Sequence, residues 1–296
     1  MTAGHHLIII TGANRGFGAS VANTYLESNE ASALSYVLVG RNQEGLQKVL
    51  DTLKQAGASS NVTVKGLVIA NVDLADTNKL DANLARIQEA ARQLRDESIQ
   101  SKNIITKSIL INNAGSLGDL SKTAKEFTWQ ETRTYLDFNI VSFVGLWHAH
   151  TALLYQLLYG DSSTFLKDTL AAFPKDKYPE HKTVVINVSS LLAVQPFSNW
   201  GLYAAGKAAR DRFLGVIALE EKGNNVKTLN YAPGPLDNEM QADVRATLGD
   251  KEQLEIYDGM HKAGSLVNMD DSSRKLVLLL KKDEFESGGH VDFYDV

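Results

Sequence analysis

The sequence predicts a doubly wound α/β fold, a parallel sheet with helices packed on both faces. Three observations predict it. Short apolar runs such as Leu7 to Ile10, Tyr36 to Val39 and Ile109 to Ile111 lack polar alternation, which suits strands buried on both sides. Helical patterns separate these runs, so strands and helices alternate along the chain. Several runs stop at glycine or other small residues, as at Gly12, Gly40 and Ala114-Gly115. No composition break or internal repeat divides the chain, so residues 1–296 are read as a single domain.

The first strand ends in Thr11-Gly12, and Gly12-Ala13-Asn14-Arg15-Gly16-Phe17-Gly18 leads into a helix carrying Val21, Tyr25 and Leu26. Glycines between a strand and a helix let the backbone approach a pyrophosphate, whose charge the helix N-terminus meets. The spacing is G-x-x-x-G-x-G, and the same glycines would also serve a plain strand-to-helix turn.

After the second strand come Gly40-Arg41-Asn42, where an NAD site usually carries an acid for the ribose hydroxyl. Arg41 suits a 2′-phosphate instead, and Arg15 could reach the same group. NADP is therefore expected over NAD. A helix is expected from 43 to 55, then a third strand and Asp73-Leu74. Asp73 could accept from an adenine amino group or cap the helix beginning near Thr77.

A sheet-covering helix runs through Leu80, Leu84, Ile87 and Leu94, and the fourth strand ends in Asn112-Asn113-Ala114-Gly115. From 129 to about 159 the pattern is one mostly apolar helix, suited to burial against the sheet or in a subunit interface. Asn139 lies inside it and needs partners. Residues 160–182 read as a polar surface excursion.

The fifth strand ends in Ser189-Ser190, thirteen residues before Tyr203. Tyr203 and Lys207 are spaced i, i+4, which on a helix stacks phenol and ammonium about one turn apart. A tyrosine near pKa 10 is a poor acid or base at neutral pH, and a cation beside it favours the phenolate. The pair is thus a candidate for acid/base work. A sixth strand runs from Val226 into Pro233-Gly234-Pro235, and residues 238–267 are polar and helical, an expected substrate-binding excursion. A last helix over 272–280 and a short strand from His290 close the chain.

Composition excludes several classes. Without cysteine there are no disulfides, thiolate metal sites or cysteine nucleophile. A net charge of −5 with scattered Lys and Arg argues against a nucleic-acid surface. No apolar run reaches about 18 residues and the N-terminus lacks a signal-peptide pattern, so a soluble protein of the cell interior, away from membranes, is expected. The seven histidines include no H-E-x-x-H spacing, so no metal is expected.

Taken in order, Thr11 to Gly18, Asn112 to Gly115, Asn139, Ser190, Tyr203 and Lys207 resemble the short-chain dehydrogenase/reductase family over essentially the whole chain. The segments 206–211, 229–237 and 282–295 look like its pterin-reducing members. The resemblance implies a Rossmann-type fold and NADPH-dependent reduction of pterin side-chain ketones, in the last steps of tetrahydrobiopterin synthesis, by a cytoplasmic homodimer. It implies catalytic roles for Tyr203, Lys207, Ser190 and Asn139, the last positioning a water that links Lys207 to solvent. Cofactor contacts are implied for Gly12, Ala13, Asn14, Arg15, Gly16, Phe17 and Gly18, and for Arg41, Asn42, Asp73 and Leu74. Asn113, Ala114, Gly115, Lys207, Leu236, Asp237 and Gln241 complete that set. Substrate contacts are implied for Ser190, Leu191, Tyr203 and Gly234. The family's pterin-anchoring Asp falls at Asn268, leaving Asn268 or Asp270 to take its place. A broad-specificity carbonyl reductase and a non-catalytic NADP sensor are the rival readings, the second opposed by the joint presence of Asn139, Ser190, Tyr203 and Lys207.

Overall fold

In the computed structural model, which describes residues 4–28, 30–159 and 181–296, seven strands form one sheet in the order β3-β2-β1-β4-β5-β6-β7. The strands are β1 (Gly4–Thr11), β2 (Ala31–Val39), β3 (Thr63–Ile69), β4 (Ile105–Asn112), β5 (Lys182–Val188), β6 (Val226–Ala232) and β7 (His290–Asp292). Every neighbouring pair is parallel, so all the C-terminal ends open on one edge. The chain order reverses between β1 and β4, and ligands of such sheets bind at that switch point.

The sheet is buried on both faces, as its unbroken apolar strands require. On one face Ile8, Tyr36, Ile109, Ile186 and Tyr231 pack with α1 (Gly16–Glu27), α2 (Gln43–Ser60) and α9 (Met269–Lys282). On the other Leu7, Val37, Leu110 and Val185 meet α3 (Leu80–Gln100), α5 (Ser142–Tyr159) and α6 (Gly201–Glu220). A smaller cluster of Leu120, Leu192, Trp200, Tyr203, Val244 and Leu248 lies apart from both faces. It joins the start of α6 to α7 (Glu239–Thr247), which α8 (Lys251–Lys262) follows.

Three expectations change. Helix α2 runs five residues past 55 and ends where Asn61 takes the left-handed conformation at φ 57°. The helix expected unbroken from 129 to 159 is α4 (Trp129–Leu136), a π-helical turn (Asp137–Val141) and α5. Widened turns of this kind occur often at functional sites, and Asn139 sits in this one. The excursion expected over 160–182 falls outside the described residues apart from its last two, and Lys182 already belongs to β5. The 238–267 stretch is helical as expected, and a single bridge between Leu236 and Val267 ties its two ends together.

Candidate active site

A cleft of about 1000 Å³ opens along the C-terminal edge of the sheet, between the glycine loop and the α6–α7 region. One wall is built of backbone. The amide of Gly12 donates to Val39 O at 2.8 Å, and Asn113 Nδ2 donates to Thr11 O at 2.9 Å and Gly12 O at 3.1 Å. Thr11 Oγ1 accepts from the amides of Asn113 and Ala114, both at 3.1 Å. The loop after β4 is thereby fastened to the loop after β1. Glycine is required at two points: a Cβ on Gly18 would stand 2.6 Å from Gly12 O, and Gly12 itself has φ 67°.

This wall fits a pyrophosphate. Helix α1 starts at Gly16 without a side-chain cap and without an acid in its first turn, so its first N–H groups remain available at the cleft. A Cβ on Gly16 would meet no atom within 4 Å, which leaves open space where a phosphate would sit. Arg41 and Asp73 line the far end of this wall, and no ion pair holds Arg41 among the described residues. A cation and no acid directly after β2 suit a 2′-phosphate.

The other wall is built of side chains. Ser190, Tyr203 and Lys207 all line it, with Ser190 at the end of β5 and the other two one turn apart on α6. Lys207 Nζ donates to Val188 O at 2.7 Å and lies 5.5 Å from the centre of the Tyr203 ring. Trp200 stands edge-on to Tyr203, with ring centres 5.4 Å apart, and Tyr257 of α8 packs against Trp200 in turn. Leu191, Leu192, Phe197, Met240, Val244 and Met260 make the rest of this wall apolar.

In both members of the pair burial outweighs the neighbouring charge. Burial pushes the Tyr203 phenol up to about 12, against a hydrogen bond with Ser190 and the positive charge of Arg210. Burial, then the charge of Arg210, brings Lys207 down to about 7. Lys207 thus holds its proton less tightly than a free lysine, whereas the phenol keeps its proton at pH 7. Asn139 is buried, and its amide is satisfied within the protein: Oδ1 accepts from Ser116 N at 3.0 Å, and Nδ2 donates to Ser116 Oγ at 3.0 Å and Tyr135 O at 3.1 Å. Its main-chain carbonyl accepts from Arg210 Nε. Asn139 itself does not line the cleft.

Most residues expected to touch a cofactor do line the cleft: Gly12, Asn14 to Phe17, Arg41, Asp73, Leu74, Asn113 to Gly115, Leu236 and Gln241. Ala13 and Gly18 are buried behind it, while Asp237 is exposed and its amide donates to Val267 O at 2.9 Å. Asn42 serves the fold instead, since its side chain accepts from Gly45 N at 2.7 Å and caps α2. Arg15 forms an ion pair with Glu239, which also lines the cleft. The alternatives left open for Asp73 also resolve in part, since the cap before Asn78 is Asp76, while Asp73 accepts from Ala75 N at 3.0 Å.

The anchor position is the clearest correction. Asn268 is the N-cap of α9, its Oδ1 accepting from Asp270 N at 2.8 Å and Asp271 N at 3.3 Å. The Asp270 carboxylate accepts from Ser20 Oγ at 2.7 Å. Neither side chain lines the cleft, because an Asn before a helix serves its amides first. The acids that do line it beyond Asp73 and Glu239 are Asp292 and Asp295, at the C-terminal edge beside His290. Sequence reasoning missed them, and it missed Trp200 and Arg210. Trp200 could have been found from its place directly before the Tyr203 helix. Arg210 could have been found from its spacing, which continues i, i+4, i+7 from Tyr203 and Lys207.

Comparison with known proteins agrees with this geometry. The short chain dehydrogenase family model matches residues 6–161 and 167–249. Sepiapterin reductase of Mus musculus is 37% identical over 289 residues, covering 97% of this chain and 96% of that one. Sepiapterin reductase of Xenopus tropicalis is 36% identical, covering 99% and 97%. A Shigella flexneri short chain dehydrogenase solved with NADP superposes with a TM-score of 0.64 at 20% identity, covering 99% of this chain and 98% of that one. With the glycine loop, Ser190, Tyr203 and Lys207 gathered on one cleft and the family model matching most of the sequence, the chain belongs to the short-chain dehydrogenase/reductase family.

Proposed function

We propose that this protein is an NADPH-dependent oxidoreductase that reduces side-chain ketones of a pterin, as sepiapterin reductase does. The observation that carries the reading is the union of the Ser190–Tyr203–Lys207 wall with full-length similarity to sepiapterin reductases. Gly12 to Phe17, the start of α1, Arg41, Asp73, Leu74 and Gln241 would hold the dinucleotide, whose nicotinamide supplies the hydride.

The protein's own part is orientation and proton delivery. Tyr203 donates its proton to the carbonyl oxygen as negative charge grows there, and a phenol pushed up to about 12 is fully protonated and ready to donate at pH 7. The Ser190 hydroxyl donates a second hydrogen bond to the same oxygen. The apolar side chains around Trp200 exclude water from the reacting atoms. Action in the last steps of tetrahydrobiopterin synthesis, a cytoplasmic location and a homodimer belong to the same proposal. Exposed Trp129, Leu136 and Val141 along α4 and the π-helical turn support a contact between copies.

A second reading, a carbonyl reductase of broad specificity, is favoured by one observation. Neither Asn268 nor Asp270 presents a side chain to the cleft, so the expected pterin anchor is missing from the place the family puts it. NADPH oxidation measured side by side with sepiapterin and a simple diketone separates the two. A preference for sepiapterin in kcat/KM supports the first, and equal turnover or preference for the diketone supports the second.

A further inference from the structure

Arg210 lies on α6 one turn beyond Lys207 and is 2% exposed. Its guanidinium has no carboxylate partner among the described residues. Nε donates to the main-chain carbonyl of Asn139, Nη1 donates to that of Ala114 at 3.1 Å, and Cζ lies 5.0 Å over the Phe143 ring. Its neighbour Asp211 is engaged elsewhere, accepting from Ser189 Oγ at 2.6 Å, Asn187 Nδ2 at 2.9 Å and His290 Nδ1 at 2.6 Å. A buried charge is costly without a counter-ion, and buried charges are as a rule paired. A cross-link between two carbonyls needs only neutral donors, so the charge itself calls for a reason.

Its neighbours supply one. A Cβ on Gly115 would lie 3.9 Å from both Arg210 Nη1 and Lys207 Nζ, so two cationic heads share the space behind Gly115. We propose that Arg210 is a positioning residue of the reaction: anchored by Ala114 and Asn139, it is the permanent positive charge beside Tyr203 and Lys207, and it sets the pH range in which they deliver a proton. The inference rests on the reading of Tyr203 as the proton donor.

The titratable groups facing the guanidinium are Tyr203 and Asp211 of its own helix and Tyr135 of α4, whose hydroxyl is buried without a partner. Lys207 feels the same charge. Arg210 depresses the proton affinity of Lys207 and opposes the rise that burial imposes on Tyr203. Lowered to about 10, Arg210 still carries its charge at pH 7. Arg210 therefore adds a fixed positive charge to that of Lys207 beside the developing phenolate.

The test is the pH profile of kcat/KM for NADPH-dependent carbonyl reduction in the unaltered protein, R210K and R210Q. Without the charge, both Tyr203 and Lys207 bind protons more tightly. The high-pH limb of R210Q should therefore move up by about 1 pH unit, while R210K keeps the limb of the unaltered protein. A limb unmoved in R210Q, or moved alike in both variants, overturns the inference. Should R210Q not fold, R210H decides, since its imidazole is neutral at the high-pH limb: that limb is expected above that of R210K, and coincident limbs in the two variants overturn the inference. Turnover surviving in Y203F would defeat the proposed function whatever Arg210 does. An inactive Y203F with an unmoved R210Q limb would defeat only the role given to Arg210.

Discussion

The two walls of the cleft are built on different principles. The wall after β1 and β2 is a backbone surface, locked by Gly12, Thr11 and Asn113 and finished by an uncapped helix start. The wall after β5 and β6 is a side-chain surface, where Trp200, Tyr203, Val244 and Tyr257 meet from the successive helices α6, α7 and α8. A backbone surface suits a ligand part that never varies, such as a pyrophosphate, because main-chain donors cannot be exchanged by substitution. A side-chain surface can be rebuilt residue by residue, which is how one fold serves many carbonyls.

The largest test of this contrast is Tyr203→Phe. Removing the proposed proton donor should lower kcat by about 10²- to 10⁴-fold while NADPH affinity, read by fluorescence titration, stays within about threefold. Comparable losses in both would mean that the walls are not independent. Gly18→Val probes the opposite wall. Its Cβ would lie 2.6 Å from Gly12 O, so NADPH binding should fail, and thermal unfolding should show a loss of about 1–3 kcal/mol. Normal cofactor affinity in that variant would refute the claim that backbone approach shapes the wall.

Arg41→Ala should raise KM for NADPH by about 10- to 100-fold, the worth of a charge-assisted hydrogen bond, and leave KM for NADH nearly unchanged. Equal changes for both would remove Arg41 from the 2′-phosphate. The smallest effect is expected at Asn268→Ala. Loss of the α9 cap should cost about 1 kcal/mol of stability in denaturant unfolding, with KM for sepiapterin unchanged. A large rise in that KM would restore Asn268 as an anchor and undo the correction made from its hydrogen bonds.

What could be read in the sequence follows the same division. The strands were legible because burial on both faces leaves only apolar residues over Leu7 to Ile10 or Tyr36 to Val39. The glycine loop was legible because few residue types satisfy a positive φ or a close backbone contact, as at Gly12 and Gly18. Asn42 and Asn268 misled because a cap and a ligand contact call for the same amide, and only the hydrogen bonds tell them apart. Arg15 lines the cleft as expected, while its ion-pair partner Glu239, more than two hundred residues distant, could not be read from the sequence.

The sequence by itself determined the alternation of strands and helices, the place of the dinucleotide loop and the Tyr203–Lys207 spacing. Each depends on local rules: apolar period, glycine geometry and the helical repeat. Only the tertiary structure decided the charge state of that pair. The pKa values of Tyr203 and Lys207 depend on how deeply they are buried and on Arg210, which the loop after β4 and the π-helical turn hold in place through two carbonyls. The helical spacing of Tyr203, Lys207 and Arg210 sets them on one face, but how deeply they are buried depends on contacts made only on folding, and no spacing along the sequence encodes that.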